Sequence, residues 1–175
     1  MSDIREIKQT IPVHYIKKGL GYHVNYDFTL PAGETKYLVF KTLDDFIHAF
    51  NRRVNAIDED NAIIRLKVET LIGAEVDTLG NDISQNITNA NLNYENNLNL
   101  KMYDETSTLI SEGSRKPFSG TMAADRKRIA QDFISEEYIL ENESYLVLKF
   151  ENEGNGELTV EYSSAGYQER RWLSE

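Results

Sequence analysis

The sequence predicts an all-β chain: a two-sheet antiparallel sandwich of the jelly-roll kind, with an extended N-terminal arm and one short helix. Three observations lead there. Apolar and polar residues alternate along several short stretches, the period of a strand with one buried face. Turn residues separate those stretches at short intervals. The strand–helix–strand rhythm of a parallel sheet is missing.

Residues 1–20 read as an extended arm, since Ile4, Ile7, Ile11 and Val13 follow no period and Pro12 breaks any helix. Gly19-Leu20-Gly21 is a hinge into a first hairpin. Tyr22, Val24, Tyr26, Phe28 and Leu30 then alternate with polar or small residues. Pro31 to Thr35 supplies turn chemistry, with φ fixed at Pro31 and positive φ open to Gly33. Lys36 to Lys41 forms the next strand. Leu43 to Ala56 fits two periods: Phe46, Phe50 and Val54 suit a helix face, and the same residues with His48 and Arg52 suit strand alternation. Ala62 to Leu71 alternates through Ile64, Leu66 and Val68. Residues 80–99 are rich in asparagine, which satisfies turns through its own side chain, so this is a connecting loop with short extended pieces such as Ala90 to Tyr94. Leu98, Leu100 and Met102 give another strand, and Thr108 to Ser111 a short one. Ser114 to Gly120 reads as loop. Met122, Ile129, Ala130 and Phe133 place the short helix over Ala123 to Phe133. Glu137 to Leu140, Tyr145 to Glu151 and Glu157 to Ser163 complete the strands, with Glu151 to Gly156 a turn. The organisation is thus an arm over 1–20, a sandwich over 21–165 and a tail over 166–175.

Composition narrows the function. The chain has 175 residues, no cysteine and a net charge of −10. Without cysteine there are no disulfides or thiolate metal sites, which fits synthesis in a cytoplasm. No apolar run is long enough to span a membrane, and the first ten residues lack a signal-peptide core. Residues 1–20 hold Arg5, Lys8, Lys17 and Lys18 against Asp3 and Glu6, so the arm carries +2 and the remainder −12. An acidic body repels phosphate backbones, which argues against nucleic acid as partner. The basic arm, with Lys8, Lys17 and Lys18, is a candidate for docking on an acidic surface, against the plainer reading of a solvated tail.

The chain carries no catalytic motif. His14, His23 and His48 have no metal-ligand spacing, and neither HExxH nor GxSxG occurs. His23 falls on the polar face of its strand, and an outward strand position is open to His48. Asp58 to Asn61 reads as a solvated turn rather than a Ca²⁺ loop, lacking the glycine and distal glutamate. The acceptors at Asn86 and Asn142 lack a secretory context. Arg52 is more pointed. If Phe50 and Val54 face inward so does Arg52, and a buried arginine needs a partner, most simply a structural or inter-subunit salt bridge. Arg52 and Arg53 therefore join the contact candidates. So does Trp172, in the tail beside Arg170 and Arg171, which either folds back on the core or meets a neighbour. The ten tyrosines suit sandwich packing, or a sugar-stacking or protein-contact surface.

Two stretches resemble small virion proteins of tailed bacteriophages. Residues 31–54, with PAGETKYLVFKT followed by FIHAFNRRV, match a pattern of turn, YLxFKT and a strand with NRR. Leu98 to Gly113, containing NLKMYDETSTLISEG, and Glu137 to Tyr162, EYILENESYLVLKFENEGNGELTVEY, match a strand, a loop with LIxSG, EWILKPNTTYLxxLTN and a last strand. The resemblance covers roughly residues 20–165 and departs at 80–97 and around Thr121 to Asp132, which are longer here. It is to head-decoration (cement) subunits, and it tips residues 46–54 toward strand. It implies a non-enzymatic capsid-binding protein on the virion surface, with no cofactor. The implied partners are the major capsid protein and further copies of the chain, as a trimer or dimer. The alternative is a carbohydrate-binding module or adhesin of a phage tail, with exposed tyrosines as stacking platforms. A sandwich hydrolase or lyase is the weakest reading, because it needs a perturbed carboxylate or a metal.

Overall fold

The computed structural model describes residues 15, 17–43, 46–58, 63–91, 93, 98–124, 127–133, 138–141 and 144–169. The described chain is all-β and antiparallel, as two packed sheets and a two-stranded ribbon. The strands are β1 (Gly21–Leu30), β2 (Thr35–Thr42), β3 (Phe46–Ile57), β4 (Ile64–Ile72), β5 (Glu75–Thr78), β6 (Ile87–Asn89), β7 (Leu100–Tyr103), β8 (Thr108–Ser111), β9 (Arg115–Ala124), β10 (Arg128–Phe133), β11 (Tyr138–Leu140), β12 (Tyr145–Asn152) and β13 (Leu158–Glu169).

The first sheet runs β10-β3-β13-β1-β6, with β11 also pairing β3. The second runs β7-β2-β12-β4-β9, and β5 pairs β8 apart from both. The eight long strands are nested: β1 pairs β13, β2 pairs β12, β3 pairs β10 and β4 pairs β9.

Alternation explains the two layers. Leu38 and Phe40 of β2, Leu66 and Val68 of β4, and Leu148 and Phe150 of β12 meet Val24, Phe28 and Leu30 of β1 and Val160 and Tyr162 of β13 in one core. Phe28 sits edge-on to Phe150 at 5.3 Å between ring centroids. Each such side chain contributes about 1.5–3 kcal/mol by leaving water. The second sheet is also covered outside. Val39, Leu71, Ala74 and Val147 form a smaller core, against which Val76 and Leu109 of the β5–β8 ribbon pack. Gly113, at φ 70°, lets the chain leave β8 close against Gly73, where a Cβ would meet the Gly73 carbonyl.

Several expectations need correction. The segment expected as a short helix, Ala123 to Phe133, holds the end of β9 and all of β10. Met122 is a buried residue of β9 and Ile129 a half-buried residue of β10, so their spacing spans two strands in different sheets. Ser114 to Gly120, expected as loop, is mostly β9. The first hairpin is not a hairpin, because β1 and β2 lie in opposite sheets and Pro31 to Glu34 arches between them. Within the arm, Tyr15 and Lys17 are helical rather than extended, closed by the Leu20 N–H donating to the Tyr15 carbonyl at 2.9 Å. Ala90 and Asn91 lie in bends and Asn93 in a turn, so the described residues of that segment are not extended. The last strand runs beyond Ser163 to Glu169. Asp58 is buried at 2% exposure, not solvated, and its N–H donates to the Lys127 carbonyl.

Candidate contact surface

Lys17 and Lys18 are exposed, and the backbone that carries them is fastened from three sides. The Asn89 side chain donates to the Gly19 carbonyl at 2.7 Å, and Asn91 donates to the Lys17 carbonyl at 3.4 Å. The Gln168 N–H donates to the Leu20 carbonyl at 2.8 Å. The asparagines also hold one another in successive Asx turns: the Asn91 N–H donates to the Asn89 side chain, and the Asn93 N–H to the Asn91 side chain. Lys8 and Trp172, with residues 1–14, 16 and 170–175, lie outside the described residues.

Arg52 and Arg53 part company. Adjacent strand residues face opposite ways. Arg53 is exposed on the outer face of the first sheet, its Nε donating to Asn55 at 3.2 Å. Arg52 is 4% exposed and faces the core with Val54. Burial raises the phenols of Tyr22 and Tyr162, and the Arg52 charge pulls both back. A register shift between Ser163 and Ala165 of β13 bulges β3 here. Alternation counted from Val54 therefore ends at Arg52.

The bulge also reverses which residues face out at the end of β3. His48 pairs with Tyr167 on the outer face, while Ile47 enters the core. The His48 ring stacks on Tyr167 at 4.4 Å and 13°, and Tyr15 stacks on Tyr167 at 4.5 Å and 10°. His48 Nε2 lies 2.9 Å from Glu169 Oε2. Burial and then Glu169 raise the Tyr15 phenol. His48 is outward but covered, at 7% exposure. Ile139 of the neighbouring β11 is 60% exposed, extending the apolar end of this face. Sequence reasoning missed the stack, because only the cross-strand register brings residues 48 and 167 together. His23 is exposed on β1, as expected.

A second polar cluster lies outside the other sheet. Lys149 Nζ sits 2.6 Å from Glu112, 3.5 Å from Glu69 and 3.8 Å from Glu151. Lys67 reaches Glu69 and Glu151, and Ser119 donates to Glu69. Tyr37 donates to Glu112 at 3.3 Å. Burial opposes the charge on Lys149, yet Glu112 and its neighbours hold its amine above the usual lysine range. Lys67 and Glu69 fall between the alternating apolar residues Leu66 and Val68 and so face away from the core; that Glu112 closes over this cluster depends on where the ribbon packs.

No protein-family model and no curated protein matches this chain. Among solved structures, the chain aligns with the VP2 subviral particle of infectious bursal disease virus at 8% identity and a TM-score of 0.19. The alignment covers 86% of this chain and 41% of that one, so the chain spans less than half of that protein's length. A likeness at that score carries no argument.

Proposed function

We propose that this chain is a non-enzymatic virion structural protein of a tailed bacteriophage, a decoration subunit that binds the head shell as an oligomer. The observation that carries the reading is the strand order. Pairing first with last, second with second-to-last and so inward supports a jelly-roll winding, an architecture that serves capsid and lectin domains. The motifs that resemble decoration subunits fall on its framework: YLVFKT lies in β2, NRR in β3 and YLVLKF in β12. They mark structure, not chemistry.

The described titratable groups with shifted pKa values have structural causes. Lys149 neutralises glutamates between sheet and ribbon, and Asp104 caps a loop. The lectin alternative needs exposed coplanar aromatics, whereas Tyr15, Tyr167 and His48 stack on one another. Many copies on a symmetric shell turn weak contacts into avidity. The test is solution mass by light scattering on a sizing column, across a wide concentration range. A stable dimer or trimer is expected, and a monomer throughout would count against a preassembled subunit.

A further inference from the structure

We propose that Asn155, at the tip of the arch between β12 and β13, is a site of spontaneous deamidation whose rate is governed by the buried Asn152. Asn155-Gly156 is the one Asn-Gly step in the sequence. A glycine after asparagine has no Cβ to crowd the attack of its own backbone nitrogen on the asparagine amide. Asn155 is exposed, and residues 154–156 form a bend outside the ladders.

The chemistry needs only water. The Gly156 nitrogen gives its proton to solvent and bonds to the Asn155 side-chain carbon. The carbon–nitrogen bond of the amide breaks, ammonia leaves, and a five-membered imide forms. Water then opens either imide carbonyl, giving aspartate or isoaspartate. One water is consumed, one ammonia is released, and nothing is oxidised or reduced.

Asn152 restrains this step. It is 1% exposed and ties the arch together. Its amide donates to the Leu30 carbonyl at 3.0 Å and the Gly156 carbonyl at 2.8 Å, and its oxygen accepts from the Gly154 N–H at 3.0 Å. Closing the imide requires Gly156 to turn, which strains the bond to its carbonyl. The product places a new carboxylate between the exposed Glu153 and Glu157. In the isoaspartate form an extra backbone carbon enters an arch that joins the central strands of the two sheets.

The full chain is incubated in mildly alkaline buffer, folded and in urea, and peptide-mapped over time with Asn25 and Asn81, also exposed, as internal comparisons. Asn155 is expected to convert first in both conditions. In the folded chain it should convert roughly fivefold more slowly than in urea, the factor that one net hydrogen bond represents. N152A, where it folds, should close most of that gap. Retention of the Asn155 amide while Asn25 or Asn81 loses its own would overturn the site. Equal rates with and without urea would overturn the restraint.

Discussion

Asp104 offers the most searching test of how the fold is held, because one carboxylate carries a whole junction. It follows β7 and is 7% exposed. Its Oδ1 accepts from the Asn81 N–H at 3.0 Å, the Thr106 N–H at 3.1 Å and the Thr106 hydroxyl at 2.5 Å. Its Oδ2 accepts from the Asn81 side chain at 2.7 Å. Gly80 must be glycine to admit it, since a Cβ there would collide with Asp104 Oδ1. Hydrogen bonds to a charged group are each worth about 1.5–3 kcal/mol net. The donors on Asn81 and Thr106 belong to exposed residues and regain water when Asp104 is removed, so the four bonds do not add. D104A is therefore expected to cost about 2–3 kcal/mol in urea unfolding at neutral pH. D104N keeps one acceptor but sets an amide donor against the Asn81 amide, with a loss of about 1–3 kcal/mol.

The pH dependence is the sharper readout. Burial opposes ionisation of Asp104, but the bonds from Thr106 and Asn81 outweigh it and hold the carboxyl below the usual aspartate range. A depressed folded-state pKa contributes stability that is present above the unfolded value of about 3.9 and is lost as pH falls through the folded value. The gap between D104N and the parent should be full at neutral pH and shrink below about pH 4. A gap that stays constant down to acid unfolding would mean that ionised Asp104 does not hold the junction.

Other outcomes follow from single contacts. G166A should lose about 1–3 kcal/mol in thermal unfolding, because the new Cβ would strike the His48 carbonyl and the Tyr22 ring. K149M should destabilise by about 2 kcal/mol, leaving Glu69 and Glu112 without their shared cation. The Lys149 contribution is complete below the unfolded lysine pKa and is lost as pH rises through the raised folded value, so the K149M deficit should narrow in strong alkali. Y15A removes a ring stack worth about 0.5–1.5 kcal/mol, and amide exchange should quicken at Leu20 and Gln168 with the core unaffected. Because Tyr15 packs on the body, the truncation that separates docking from folding is removal of residues 1–14: it should leave urea unfolding unchanged and abolish shell binding.

Much of the fold was legible where one face is buried and the other wet. Tyr22 to Leu30 alternates cleanly because its outward residues meet water, whereas Tyr145 to Glu151 does not, since the outward Val147 is buried in the smaller core under the ribbon. Legibility failed where two elements share a helical spacing by chance, as Met122 and Ile129 do across β9 and β10. It failed again where pairing is set by distant residues: Ile87–Asn89 is a strand because β1 offers an edge to it. Turn chemistry at Pro31 to Gly33 marked a reversal, yet alternation cannot say whether the next strand joins the same sheet or the opposite one. The Arg52 position was readable from Val54 alone, whereas the bulge that turns His48 outward beside Tyr167 left no mark in the pattern. The aromatic stack and the Glu112 closure both depend on register and packing between segments far apart in sequence.

On the proposed reading, this sandwich binds the head shell of a phage. Undecorated head shells assembled from the phage's major capsid protein should be sedimented with increasing amounts of the full chain. Saturable co-sedimentation, at a stoichiometry matching a symmetry element of the shell, is expected. A chain that stays in the supernatant at every concentration, while folded by circular dichroism, would contradict it.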